Sequence, residues 1–442
     1  MHMGTIRVPH QNPTTAATTV DRRVRRQPLR RFLAVLAAIT VIGTSSTPTQ
    51  ATWNEQAQAS ASFTTWEDVF AWEQVSTGDS HTCAIADVQV YCWGYGYFGA
   101  LGNGSTTDQT VPVPVDTHGP LAGRTVTSIA AGGRHTCALA DGQVYCWGDG
   151  IRGQLGDGSR TNQTVPVAVD FSGALAGKTV TSIAAGGSHT CAIADGQAYC
   201  WGSGTNGQLG DGSGTNQTAP VAVDASGALA GKTVTSIAGG GTYTCALADG
   251  QPYCWGYGTA GQLGNGSTMS QRVPVAVDTS GVLAGKTVTS VSAGSSHACA
   301  VAGGQAYCWG FGGRGRLGNG DTRDSTVPVA VDTSGVLANK TVASVSAGGH
   351  HTCAVAGGQA YCWGQGDAGR LGNGGTGNST VPVAVDTSGV LAGKTVTSVS
   401  AVFEHTCGVA EGQAYCWGAG GSGKLGNGRT TNQPRPVAVL TP

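Results

Sequence analysis

His189-Thr190-Cys191-Ala192-Ile193-Ala194-Asp195-Gly196-Gln197-Ala198-Tyr199-Cys200-Trp201-Gly202 is the stretch on which the fold turns. Asp-Gly is a two-residue turn signal of type I′, whose twist matches that of the strands it joins. Counting outward from it pairs Ala194 with Gln197, Ile193 with Ala198, Ala192 with Tyr199 and Cys191 with Cys200. The pair flanking the turn is hydrogen-bonded, so alternation makes 191–200 a non-hydrogen-bonded pair. Its side chains then lie close together on one face, within disulfide reach. On the other face Tyr199 and Trp201 stand across from Ala192 and Thr190, large against small, as suits sheets that pack on neighbours.

The stretch recurs. First cysteines fall at Cys83, Cys137, Cys191, Cys245, Cys299, Cys353 and Cys407, each 54 residues after the last. Second cysteines at Cys92, Cys146, Cys200, Cys254, Cys308, Cys362 and Cys416 keep the same step, which accounts for all 14. One unit holds four short β-prone runs: Thr179 to Ala185, the two arms of the hairpin, and Pro220 to Asp224. No helical periodicity lies between them. Four antiparallel strands in each of seven units predict an all-β, seven-bladed β-propeller with a 54-residue repeat. A solenoid needs atypical capping repeats, and these units stay alike to both ends. The seven repeat tryptophans, such as Trp147 and Trp201, read as core.

Composition agrees. Gly supplies 73 of 442 residues and charged residues only 11%, which favours short strands and tight turns over long helices. Residues 1–51 differ: a cluster of arginines from Arg22 to Arg31 precedes a 12-residue apolar run, Phe32 to Gly43, and then small residues up to Ala51. That order predicts an export signal, with a linker over 52–66 and the propeller over 67–442. The apolar run is shorter than the roughly 20 residues a membrane span needs, so no span is expected in the mature chain. Removing the seven Arg and one Asp of residues 1–51 leaves 17 Lys+Arg against 24 Asp+Glu, a net charge of −7. A nucleic-acid reader presents a basic excess instead, and that role is set aside. Paired cysteines in an exported chain predict seven disulfides and a secreted or cell-surface location.

Residues Gly132 to Gly156 read Gly-Gly-Arg-His135-Thr-Cys-Ala-Leu-Ala-Asp-Gly-Gln-Val-Tyr-Cys-Trp147-Gly-Asp-Gly-Ile-Arg-Gly-Gln-Leu-Gly. This resembles the repeat of the regulator of chromosome condensation family over all seven units, and the resemblance implies a seven-bladed propeller. Family members include a guanine-nucleotide exchange factor that touches chromatin, plant ultraviolet photoreceptors and a secreted bacterial inhibitor that caps β-lactamases. The photoreceptor pattern has Trp where this chain has Gly133, Gly187 or Ser295. The context of an exported, cysteine-paired chain stands nearest the secreted bacterial members.

Apparent chemical motifs yield to simpler readings. His81, His135, His189, His297, His351 and His405 each stand two residues before a first cysteine, and blade four has Tyr243 there. Zinc sites use closer cysteine pairs, so disulfides with structural, hydrogen-bonded histidines are expected, with no metal and no cofactor. Gly-Lys-Thr at 177–179 lacks the spacing of a phosphate loop and a following helix. With no Ser-His-Asp set or carboxylate pair standing out, no catalytic residue is assigned and the chain is not read as an enzyme.

In a propeller the frame is constant and rim loops recognise partners. The loops after Trp-Gly vary most, with Tyr95, Tyr97, Phe98, Ile151, Arg152, Asn206, Tyr257, Phe311, Arg314 and Asp367, and blade seven breaks the Gly-x-x pattern with Val402, Phe403 and Glu404. These, excepting Val402, are the expected contacts of a monomeric binding module for a protein or cell-wall glycan. A nucleotide-exchange or chromatin-type regulator and a purely structural surface protein are the other readings.

Overall fold

Twenty-eight strands of six residues each form seven four-stranded sheets, every one built from consecutive strands. The computed structural model describes residues 70–442; the expected export signal and linker lie outside the described residues. In blade three the strands are Val180–Ala185, His189–Ala194, Gln197–Gly202 and Gln217–Ala222. The hairpin register is the one the turn dictates: Ala194 pairs with Gln197, Ala192 with Tyr199 and Cys191 with Cys200. Asp195 and Gly196 have φ of 51° and 71°, the positive pair that type I′ needs. All seven disulfides form, with Cα atoms 4.0–4.1 Å apart, as in a close non-hydrogen-bonded pair. The fourth strand starts at Gln217, ahead of Pro220, and as the outer edge of its blade it tolerates a proline.

The tryptophans are core. All seven are at most 1% exposed, each filling the space between its own blade and the one before. Trp201, for example, packs with Leu155, Val169 and Leu175 of the preceding repeat. Its indole N–H donates to the Gln154 carbonyl at 3.0 Å, and the equivalent bond recurs at every blade junction.

A second set of bonds ties the blades and explains the histidines. His189 Nε2 lies 2.9 Å from Thr244 Oγ1 of the next blade. The same contact, at 2.6–2.9 Å, joins His81 to Thr136, His135 to Thr190, His297 to Thr352, His351 to Thr406 and His405 to Thr82. All six of these threonines pass their one proton to a backbone carbonyl, Thr244 to that of Gln208 at 2.8 Å. A hydroxyl with its proton so committed accepts from the ring, so the histidines are neutral with the proton on Nε2. The exception is self-consistent: blade four has Tyr243 for His, and blade five, which would receive it, has Ala298 for Thr. The Tyr243 hydroxyl instead donates to the His297 carbonyl at 2.6 Å.

The His405–Thr82 contact closes the ring with the same side-chain bond the other histidine junctions use, and closure shares no strand. Trp72, which stands where other blades have valine, adds an aromatic wedge against Trp93 and Tyr91. The seven innermost strands surround an axial cavity of about 360 Å³ lined by Ala, Ser, Gly and short branched residues.

Burial of the six ring histidines sets an acid limit on stability. It pushes His81 and His189 down to about 4 and His135 to about 3, below the ordinary 6.5. The unfolded chain therefore binds protons near pH 6.5 that the folded chain refuses until about pH 4. Stability is full above pH 6.5 and falls as pH drops through that window. Urea midpoints measured from pH 8 to pH 4.5 should be level above pH 7 and decline below 6.5; a midpoint that rises on acidification contradicts this.

Candidate functional site

Antiparallel order puts the loops after the first and third strands of every blade on one face, and the Asp-Gly turns and inter-blade loops on the other. The second face repeats itself. Lys178 pairs with Asp195 at 3.1 Å and lies over Tyr199, while Lys232–Asp249 and Lys394–Glu411 pair in the same way. The Gly-Lys-Thr segment thus serves this turn contact, and a strand begins at Val180. The first face is where the repeat breaks, and all twelve residues expected to touch a partner lie on it.

Their loop has two conformations, decided by one side chain. In blades two to four, Gln154, Gln208 and Gln262 accept through Oε1 from the backbone N–H of Arg152, Asn206 and Ala260, each at 2.9 Å. Blades five, six, seven and one carry Arg316, Arg370, Lys424 and Ala100 there. Without the acceptor the loop takes a 3₁₀ turn, and Arg314, Ala368, Ser422 and Phe98 adopt φ of 58–65°. Such left-handed backbone at non-glycine residues costs on the order of 1 kcal/mol each and often marks functional loops.

The four altered loops are adjacent in the ring and carry the linked side chains. Phe311 lies under Arg316 at 4.6 Å, and Arg314 Nη1 is 3.6 Å from Asp367 Oδ2. His350 stacks on Phe403 at 4.4 Å, and Lys424 Nζ donates to Glu404 at 3.0 Å. Tyr95, Tyr97 and Phe98 form an aromatic chain, with Arg134 5.2 Å from the Phe98 ring. Ile151, Arg152, Asn206 and Tyr257 belong to the glutamine-type sector and join none of these contacts. Tyr97 and Ile151 are more than half exposed, at 55% and 54%.

Arg316 and Arg370 are buried, and each reaches into the next blade, donating through Nη1 to the carbonyls of Gly349 at 2.7 Å and Phe403 at 3.0 Å. Burial pulls Arg316 down to about 10. His350, between these guanidiniums, is lowered to about 4, by burial first and then by their charge. The variable position before each repeat histidine pointed to Arg134 and His350, whereas sequence reasoning did not select Asp79, Arg316, Arg370 or Lys424. The signal was present in the Gln-Leu-Gly position, where comparing repeats separates three glutamines from four other residues.

At the mouth of the axial cavity the blades join through a circular ladder. Gly133 N–H donates to the Gly186 carbonyl at 3.1 Å, Gly187 to Gly240 at 3.0 Å, Gly241 to Gly294 at 3.1 Å, Ser295 to Gly348 at 3.2 Å, Gly349 to Val402 at 3.0 Å and Asp79 to Gly132 at 3.4 Å. Close approach needs glycine: a Cβ on Gly78, Gly132, Gly186, Gly240, Gly294 or Gly348 would meet the next blade's carbonyl oxygen at 2.1–2.8 Å. Blade seven has Val402 at this place. Among the described residues, no such bond joins Phe403 to Gly78, and the seam between blades seven and one opens into a crevice of about 370 Å³. Asp79, Ser80, Tyr95, Gly133, Arg134, Phe403 and Glu404 line it. Burial raises the Asp79 carboxyl, partly offset by Arg134 and Lys424.

Comparison with known proteins agrees with this architecture. The RCC1-like domain model matches residues 41–354, and the regulator of chromosome condensation (RCC1) repeat matches 357–409 and 411–442. The ultraviolet-B receptor UVR8 of Arabidopsis thaliana is 32% identical over 373 residues, covering 83% of this chain and 81% of its own. The E3 ubiquitin-protein ligase HERC2 of Homo sapiens is 34% identical over 75% of this chain, which spans 7% of that protein. Yeast RCC1 (Prp20), in its crystal structure bound to Kap60, superposes with a TM-score of 0.68 at 22% identity, covering 90% of this chain and 91% of its own.

The loop switch is directly testable. Gln154→Ala should turn residues 151–153 into the 3₁₀ form, with Arg152 moving to positive φ, at a loss of about 1 kcal/mol or less. A crystal structure of the variant checks this, and an unchanged loop refutes it. The seven four-stranded blades and the repeat matches together place this chain in the RCC1-like propeller family.

Proposed function

We propose that this chain is an exported binding module that docks a protein on the face bearing the altered loops. The contrast between faces carries the reading: one repeats the same basic–carboxylate turn contact in four blades, while the other gathers Tyr97, Phe98, Phe311, Arg314 and Phe403 within the altered sector. Aromatic and arginine side chains concentrated in one patch are the composition of protein-binding hot spots. That composition favours a protein over a cell-wall glycan as partner. Yeast RCC1 (Prp20), a protein of this fold, has been crystallised bound to Kap60. Ile151, Arg152, Asn206 and Tyr257 form the periphery of the docking face.

Export is supported by the seven disulfides and by the order of charge and apolarity in residues 1–51, with 52–66 as a linker. Among the described residues, no helix is long and apolar enough to cross a membrane. The face is assigned binding rather than turnover.

The test has two arms. Intact mass of protein from its native host should show an N-terminus near Thr52 and an oxidised form roughly 14 Da lighter than the reduced one. Partners crosslinked to the wild-type chain outside the cell should be lost by roughly tenfold with Phe311→Ala plus Tyr97→Ala, and retained with Lys178→Ala plus Lys232→Ala. Free thiols with an intact arm would overturn export, and loss through the lysine face would overturn the docking assignment.

A further inference from the structure

We infer that the seam crevice between blades seven and one receives a cationic side chain, arginine or lysine, from the docked protein. This rests on the protein-binding reading above and names the chemistry at its centre. The crevice is a built departure from the repeat. Six junctions of the ring are joined by the carbonyl ladder; at the seventh, where Val402 stands in place of glycine, no such bond forms among the described residues. The neighbouring junctions are also tied by Arg316 and Arg370 reaching across to the next blade, but at this seam Lys424 turns back to Glu404 of its own blade.

Charge bookkeeping inside the crevice selects the ligand. Glu404 is answered by Lys424 at 3.0 Å. Arg134 lies over the Phe98 ring, and among the described residues it forms no ion pair within 4.0 Å. Asp79 is left as a partly buried carboxylate that no described side chain or backbone N–H contacts through a hydrogen bond or ion pair. A desolvated carboxylate without a donor is unfavourable, and a guanidinium or ammonium supplies charge-assisted hydrogen bonds to it. Tyr95 and Phe403 furnish the aromatic surface against which such a cation packs. An anionic group entering here would meet Asp79 and Glu404. Arg134, the cation on the wall without an ion pair, is solvent-exposed and lies over Phe98, whereas Asp79 is partly desolvated, so a cation is the complementary guest.

The experiment uses the whole oxidised chain and three small probes: n-butylguanidinium, n-butylammonium and butyrate. Backbone amide shifts are followed during titration. The two cations should bind in the millimolar range, moving the amides of Asp79, Gly133, Phe403 and Glu404, while butyrate leaves them in place. Asp79→Asn, which keeps the shape, should weaken the cations by roughly tenfold. The double change Val402→Gly with Phe403→Gly, which restores the ladder glycines, should abolish binding with the thermal midpoint kept or raised. Equal affinity in Asp79→Asn, shifts located elsewhere, or preference for butyrate would overturn the inference. The titration needs no partner, so its failure is separate from any failure of the rim to capture a protein.

Discussion

A hydrogen bond from a buried imidazole in one blade to a threonine in the next holds this ring together. Each threonine answers a histidine and also donates to the same carbonyl that accepts from the tryptophan of its own blade, so these groups converge on one junction. The arrangement only works with neutral histidine, and complete burial enforces that state. It also removes the histidines from consideration as ligands or acid–base groups. At ring closure the last blade offers His405 to Thr82 as each other histidine-bearing blade offers its histidine to its successor.

Because the frame is repeated with little change, the places where it departs from itself carry information. Glutamine in three blades and Arg, Lys or Ala in the other four divide one face into two contiguous sectors. The sector without glutamine takes on strained backbone and buried guanidiniums that point into neighbouring blades. The same sector contains the seam where Val402 replaces a glycine that close approach demands. Loop conformation, buried charge and the open seam thus coincide on one arc, which is how a nearly symmetric ring acquires a single distinguishable side.

Much of the frame was legible in the sequence because its determinants are local. The Asp195-Gly196 turn sets the register, the register brings Cys191 to Cys200, and alternation sends Trp201 to the opposite face; all of this lies within 14 residues. The relay was not legible, since His189 and Thr244 are 55 residues apart and meet only when blades pack around an axis. Tyr243 could be seen as an exception, but its match to Ala298 has meaning only once the junction is known. At the site, Phe403 and Glu404 stood out as breaks in the repeat. Asp79 and Arg316 did not, because their roles depend on what faces them across a blade boundary.

The paired exception allows the relay itself to be measured. In Tyr243→His alone, a buried imidazole N–H faces Ala298 without an acceptor; in Ala298→Thr alone, the added hydroxyl and methyl crowd the tyrosine ring. Each single change should lower unfolding free energy by about 1–3 kcal/mol, whereas the double variant rebuilds the junction used everywhere else and should recover most of that loss. A favourable coupling of about 1 kcal/mol or more in this cycle is the predicted result. A double variant that costs the full sum of the two singles would contradict the account, because the histidine–threonine contact would then be a bystander to ring closure.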